Sequence, residues 1–380
     1  MRLPTLLVMR SLPARRRIAA RSALAIFVLA TVLAGCAGCA ATPSATPKRS
    51  TTTVDPPAPS TSSTSTTVSP QDAKKPPVPS NGAYFGTWRG PGPGRPAEVQ
   101  NRLVQAEQQI GRKYAIDHRY YDWGFPLPSP YEEWTSKQGR IPLVNLCACH
   151  FNDGSVVPWS EIASGAHDAY LSAMADRFAA FAKPVFFIFD GEPESKVDNS
   201  TGQTPAAYIA AWRHIVETFR AHHADNVAFM WDTTAYSFTA ESGDASKVKS
   251  IYPGDDVVDW IASDPYNFNH SGAWRSLSFE LDAWYRWARA EHPNKPLALA
   301  EWGSKEDAHD PQHKAEWLRE ALKDLQTKYR QIKAVVYFDE KKYEDNTVND
   351  WRIDTSTPSS RAFAEIARSR WFDFSVRRGG

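Results

Sequence analysis

Val185-Phe186-Phe187-Ile188-Phe189 is a run of five apolar residues closed by Asp190-Gly191-Glu192-Pro193-Glu194. A strand with one solvated face would carry a polar residue at every second position; this run carries none, so both of its faces are covered. Seven further runs of similar kind lie along the chain: Ala83 to Thr87, Tyr114 to Tyr120, Ile141 to Cys149, Val227 to Trp231, Val258 to Ala262, Leu297 to Ala300 and Ala334 to Phe338. Between them apolar residues recur at spacings of three and four. Leu171, Met174, Ala175 and Phe178 form one such set, and Tyr208, Ala211, Trp212, Ile215 and Phe219 a second. Leu281, Trp284, Tyr285 and Ala288 form a third, and Leu318, Leu322, Leu325 and Tyr329 a fourth. Such spacing gathers the apolar groups on one helical face. Thr204-Pro205 and Asp310-Pro311 mark two helix starts, each a capping side chain ahead of a proline at the first helical position. Eight doubly covered strands alternating with helices predict an α/β fold, a closed (β/α)₈ TIM barrel. An open doubly wound sheet is the alternative, but no Gly-rich dinucleotide turn follows the first strand. Gly90-Pro91-Gly92-Pro93-Gly94 is too proline-bound to serve as one.

The barrel predicts where the domain begins. Residues 41–80 hold 8 Ser, 9 Thr and 9 Pro and no aromatic residue, whereas 45 of the 46 Phe, Trp and Tyr lie from Tyr84 onward. Few groups in that stretch could be buried to offset chain entropy, so it reads as a disordered linker. Ahead of it, Arg2, Arg10, Arg15, Arg16, Arg17 and Arg21 precede the apolar stretch Ala23 to Ala34, the pattern of a signal peptide. The expected organisation is a signal peptide over 1–35, a linker over 36–81 and the barrel over 82–376.

Net charge is +1, from 44 basic and 43 acidic residues, which excludes phosphate-backbone binding as the main task. No nucleic-acid partner is expected, and a monomer is. Four Cys in 380 residues exclude a disulfide scaffold. No Gly-x-Ser-x-Gly, His-Glu-x-x-His or P-loop pattern occurs, which argues against esterase, zinc-protease and nucleotide chemistry.

In a barrel of this kind chemistry belongs at the C-terminal ends of strands. The fourth run ends in Glu192 and the seventh in Glu301-Trp302-Gly303. A carboxylate directly after an apolar run loses hydration and needs a reason to be there. Two of them facing each other across a barrel mouth provide one: glycosidic cleavage uses one carboxyl to protonate the leaving oxygen and another to attack or stabilise the anomeric centre. Glu194 is a second candidate for the acid.

These positions resemble the retaining (β/α)₈ glycoside hydrolases, and within them glycoside hydrolase family 26. The matching stretches are Tyr120-Tyr121-Asp122-Trp123, Pro184 to Glu192, Ala211-Trp212-Arg213, Asp259-Trp260-Ile261 with Asp264-Pro265-Tyr266, Ala298 to Gly303, and Tyr337-Phe338. The resemblance implies a β-mannanase-like hydrolase with Glu192 as general acid/base and Glu301 as nucleophile. It also implies that Tyr266 hydrogen-bonds the nucleophile, and that the partner is a polysaccharide or oligosaccharide. The family usually has His-Glu-Met-Asn around the acid/base; here the positions read Gly191-Glu192-Pro193-Glu194, so mannan itself does not follow. Two rivals stay open: a non-catalytic glycan-binding lipoprotein, and a hydrolase of the cell's own envelope glycan. Leu33-Ala34-Gly35-Cys36 resembles a bacterial lipobox, which implies lipidation at Cys36 and an extracytoplasmic protein anchored to the cell membrane. Cys39 is a weaker second candidate, and Arg15-Arg16 leaves the Sec or Tat route open.

Trp88, Trp123, Trp231, Tyr266 and Trp302 stand near strand ends and are candidates for stacking on a sugar face; His150 could bind a hydroxyl. No cofactor and no metal site are expected. Cys147 and Cys149, with His118 as a third ligand, have a spacing unlike common zinc patterns. A disulfide between them is not expected either, because an i, i+2 pair in an extended strand holds its Cα atoms near the upper limit of the usual range.

Overall fold

A computed structural model describes residues 75–374 apart from 91–95, 243, 270–273 and 345–346. The expected lipidation site Cys36, Cys39, the signal peptide and most of the linker lie outside the described residues.

Eight parallel strands close on themselves. They are β1 Tyr84–Trp88, β2 Ile116–Tyr121, β3 Ile141–Leu146, β4 Val185–Phe189, β5 Val227–Thr234, β6 Trp260–Asp264, β7 Leu297–Ser304 and β8 Ile332–Phe338. Each pairs with the next, and β8 returns to β1 through Tyr84↔Ala334 to Trp88↔Phe338. The predicted (β/α)₈ barrel is therefore the observed fold, with the predicted β4 reproduced residue for residue and the other ends moved by a few positions.

Alternation along the strands explains why both faces had to be apolar. Tyr84, Ile116, Leu143, Phe186, Ile188, Met230, Trp260, Ala298, Ala300 and Val336 point inward and fill the barrel. Phe85, Val144, Phe187, Phe229, Ile261, Leu299 and Val335 point outward and meet the helices. Large and small residues alternate inside: Phe186 and Trp260 sit edge-on at 5.1 Å while β7 supplies only alanines. Each fully buried side chain of this size contributes about 1.5–3 kcal/mol, so the two layers together hold the closed sheet.

Among the helices, α1 Asp168–Phe181 buries Leu171, Met174, Ala175 and Phe178, and α2 Pro205–Ala221 buries Tyr208, Ala211, Trp212, Ile215 and Phe219, all on the expected faces. The Thr204 side chain accepts from the Ala207 N–H at 3.1 Å and starts α2 where the sequence placed it. The second predicted start is displaced. Asp310 accepts from the Gln312 N–H at 2.8 Å, and this turn delays the helix to His313–Thr327. Two further elements matter below, the short helix Trp159–Ala163 and the hairpin Lys341–Glu344 with Thr347–Asp350. No helix among the described residues is long and apolar enough to cross a membrane.

The base of the barrel is sealed. Residues 75–81, counted with the linker by composition, pack there: Tyr84 Oη donates to the Pro77 carbonyl at 2.7 Å and Lys75 Nζ meets Asp259 at 2.8 Å. Phe374 closes on the Tyr84 ring at 5.0 Å. The mouth at the C-terminal ends of the strands carries the polar groups.

Candidate active site

Glu301 reaches the mouth because β7 carries a bulge. Leu299 pairs with Val335 and Trp302 with Tyr337, so three steps on β7 oppose two on β8. Ala300 already faces inward; strict alternation would send Glu301 out among the helices, and the extra residue lets it face the mouth instead. Its two oxygens are both held. Tyr266 Oη donates to Oε2 at 2.5 Å and Tyr120 Oη donates to Oε1. Its amide N–H donates to Asp264 Oδ1 at 2.7 Å. Burial, followed by the charge of Glu301, pushes both phenols well above their ordinary range, so they stay protonated and act as donors.

Glu192 stands on the loop after β4 in left-handed backbone, φ +54°, with Asp190 at φ +50° two residues earlier. Its N–H donates to the Asp232 carbonyl at 3.1 Å, and its own carbonyl accepts from Ser195 Oγ at 2.7 Å. Burial, then the charges of Glu301 and Glu194, push its carboxyl up to about 8. Glu194 is pushed up to about 7, chiefly by burial, but its Oε1 is committed to the Thr234 N–H at 2.7 Å. The chain thus directs the Glu194 carboxyl back onto β5, whereas the Glu192 carboxyl has no strand partner among the described residues.

A side chain at Gly191 would be crowded. A Cβ there would lie 3.0 Å from Asn145 Nδ2 and 3.1 Å from Asp232 Oδ2, so these inward residues of β3 and β5 occupy the space beside the acid. Asp232 and Asp264 are both raised well above the carboxylate range by burial first, and Asp264 next by the charge of Asp232. The sequence marks neither for a role, because a lone aspartate at a strand end carries no distinguishing signal.

The aromatic candidates divide. Tyr266 and Trp88 line the mouth in a cluster with Phe338 and Trp351, and Trp351 lies 4.9 Å from the Tyr266 ring. Lys342 on the hairpin places Nζ 4.5 Å from the Phe338 ring. Trp123, Trp231 and Trp302, expected as sugar platforms, belong instead to the layer between sheet and helices. Trp123 packs on Tyr170 and Phe189, Trp231 on Tyr252 and Trp287, and Trp302 on Trp317 and Tyr337. Trp231 and Trp302 are each next in sequence to an inward carboxylate and so face outward; both are fully buried. Trp351 was missed because it follows the last strand on a segment with no periodic pattern.

His150 lies on the turn after β3, its N–H bonded to the Ser155 carbonyl at 2.9 Å. The expectation for Cys147 and Cys149 is corrected. They form a disulfide, because β3 ends at Leu146 and the turn beyond brings their Cα atoms to 5.1 Å, within the usual range. No group of three or more His, Cys, Asp or Glu among the described residues could hold a metal ion.

No family model matches the chain. Endoglucanase H of Acetivibrio thermocellus is 30% identical over 295 residues, which cover 75% of this chain and 30% of that protein. β-1,3-Xylanase TXYA of a Vibrio species is 26% identical over 141 residues, 37% of this chain and 28% of that one. The chain therefore spans less than a third of the curated relatives it matches. Among solved structures, the catalytic domain of a GH26 endo-β-1,4-mannanase from Bacillus sp. JAMB-750 superposes with TM-score 0.54 at 16% identity, over 78% of this chain and 88% of that one. A GH26 β-mannanase from Bacteroides ovatus gives 0.53 at 17% identity, over 81% and 94%. At such identities the likeness is one of fold: this barrel has the architecture of the GH26 mannanases.

Proposed function

We propose that the protein is a retaining glycoside hydrolase that cleaves a β-linked polysaccharide, with Glu301 as nucleophile and Glu192 as general acid/base. One observation carries the reading: a carboxylate held by two phenol donors shares the barrel mouth with a carboxyl pushed up to about 8. Glu192 holds a proton at neutral pH and gives it to the leaving oxygen while a Glu301 oxygen bonds to the anomeric carbon. In the second step water attacks that carbon, Glu192 takes the water's proton, and the bond to Glu301 breaks. Tyr120 and Tyr266 hold the Glu301 carboxylate in place through both half-reactions. The likeness to an endoglucanase, a β-1,3-xylanase and the GH26 mannanases supports a hydrolase of β-glycans.

Within that class a β-glucan is favoured over a β-mannan. The relative aligned over most of this chain is an endoglucanase, and the position where the mannanase-like pattern has an imidazole is a glycine crowded by Asn145 and Asp232. The complete carboxylate pair with its phenol donors speaks against the purely glycan-binding alternative. Digestion of a panel of β-glucans, β-mannans, β-xylans and wall glycan, with product analysis, tests the substrate. Glu301→Ala should abolish release on every member while circular dichroism stays that of the parent. Activity near the parent level would remove Glu301 from the mechanism.

The reading includes a lipid anchor at Cys36 outside the cytoplasm. The Cys147–Cys149 disulfide supports an oxidising compartment. Cys36→Ser should stop incorporation of a labelled fatty acid; unchanged labelling would refute the anchor.

A further inference from the structure

The loop that carries Glu192 is held by a residue with no part in the steps above. Asp190 is 1% exposed, and its carboxylate accepts three donors from three parts of the chain. Trp159 Nε1, from the short helix Trp159–Ala163, reaches Oδ2 at 2.6 Å. Lys196 Nζ reaches Oδ1 at 2.7 Å and also donates to the Gly191 carbonyl at 2.6 Å. The Ala148 N–H meets Oδ1 at 3.4 Å, the longest of the three. Ala148 is the residue enclosed by the Cys147–Cys149 disulfide, and this turn is itself fixed on both sides. Cys147 N–H donates to the Tyr121 carbonyl at 2.8 Å, and the Cys149 carbonyl accepts from Trp123 N–H at 2.8 Å.

Such a brace has a purpose here. Asp190 and Glu192 both sit in left-handed backbone, which strains a non-glycine residue and persists only where the surroundings over-determine it. Two such residues flank Gly191, where a Cβ would crowd Asn145 and Asp232. Left to itself the loop would relax and carry the Glu192 carboxyl with it. An acid whose proton must lie within hydrogen-bond reach of a leaving oxygen is sensitive to such a shift, because misplacement of about 1 Å can cost 10²-fold.

Resting on the reading of Glu192 as the acid/base, we infer that Asp190 is a positioning residue, clamped by Trp159, Lys196 and the disulfide-closed turn at Ala148, that sets the Glu192 carboxyl for proton transfer. Asp190 does not touch substrate; its buried carboxylate is taken up by protein donors. The role predicts a defect confined to steps that need the proton of Glu192, with binding left intact.

The test compares full-length parent, Glu192→Gln, Asp190→Asn and Cys147→Ser/Cys149→Ser in detergent. The substrates are the polysaccharide identified by the panel and the dinitrophenyl glycoside of its disaccharide, whose leaving group needs no acid. Asp190→Asn should lower kcat on the polysaccharide by roughly 10- to 100-fold, within the range general acid catalysis supplies. KM should stay near the parent value, the burst on the dinitrophenyl glycoside should be largely preserved, and azide should rescue its slow turnover. Removing the disulfide should act in the same direction and more weakly, since the Ala148 contact is the longest. Equal losses on both substrates, or a change in KM alone, would overturn the inference while Glu192→Gln still showed the full leaving-group signature, a large loss on the polysaccharide with the dinitrophenyl burst retained. Absence of that signature in Glu192→Gln would instead overturn the acid/base assignment, and this inference with it. Should Asp190→Asn fail to fold, the cysteine variant decides: a loss selective for the polysaccharide supports the brace, and a parent-like ratio of the two rates refutes it.

Discussion

Glu192 and Glu301 differ by environment rather than by type. Glu301 has two phenol donors and a backbone anchor; Glu192 has burial and two neighbouring carboxylates, which raise it to about 8. Activity that needs a protonated Glu192 should therefore fall as pH rises through about 8, and kcat/KM against pH measures this alkaline limb. Part of the elevation comes from the Glu301 charge, so in Glu301→Gln the Glu192 carboxyl should titrate at lower pH than in the parent. Carboxyl NMR shifts followed against pH would show it, and an unmoved midpoint would leave burial and the Glu194 charge as the causes. At this scale the sequence was readable where chemistry and pattern coincide, in an acid that ends an apolar strand. It was unreadable at Asp232 and Asp264, since their importance arises only when β5 and β6 set them beside the two glutamates. It also misjudged the cysteines, because the end of β3 cannot be located to within the two residues that decide their separation.

Strand parity is the element-scale rule that sorted the aromatic residues. Along β5, Val227, Phe229 and Trp231 face the helices while Ala228 and Met230 face the barrel, so Asp232 and Trp231 must point opposite ways. Proximity to a strand end suggested a sugar platform for Trp231, but its parity makes it core. Trp231→Phe should accordingly lower Tm and leave KM for the polysaccharide unchanged, because the loss falls on contacts to Tyr252 and Trp287. A KM raised several-fold at parent Tm would restore the platform reading. The bulge in β7 is the exception that makes the site. Nothing in Leu299-Ala300-Glu301-Trp302 marks an extra residue, and only the pairing with β8 reveals it. Helix faces were legible throughout, since a period of three to four survives end effects. The start at Asp310 was not, because a side chain that caps a helix can equally close a turn ahead of one.

Across the whole molecule, the fold keeps function at one pole and sealing at the other, and the functional pole carries an energetic cost. Glu194 and Glu192 rise from 4.5 to about 7 and about 8 on folding, and Asp232 and Asp264 are raised as well, chiefly by burial. A carboxyl raised in the folded state stays protonated there after it has ionised in the unfolded chain, so above pH 4.5 the unfolded state binds fewer protons. The stability these groups contribute is thus complete below about pH 4.5 and is lost as pH climbs through about 7 to about 8. Glu192→Gln replaces a group that must ionise by one that cannot, and removes a charge facing Glu301 and Glu194. Its Tm should match the parent near pH 4.5 and exceed it by a margin that widens up to about pH 8, by at least about 2 °C at the upper end if a kcal/mol or so is relieved in a domain of this size. Thermal unfolding followed by circular dichroism at pH 4.5, 6 and 8 measures the margin. A constant difference across that range would mean that burial at the mouth does not oppose ionisation of Glu192, and the physical basis for its acid role would be lost even if the variant were inactive.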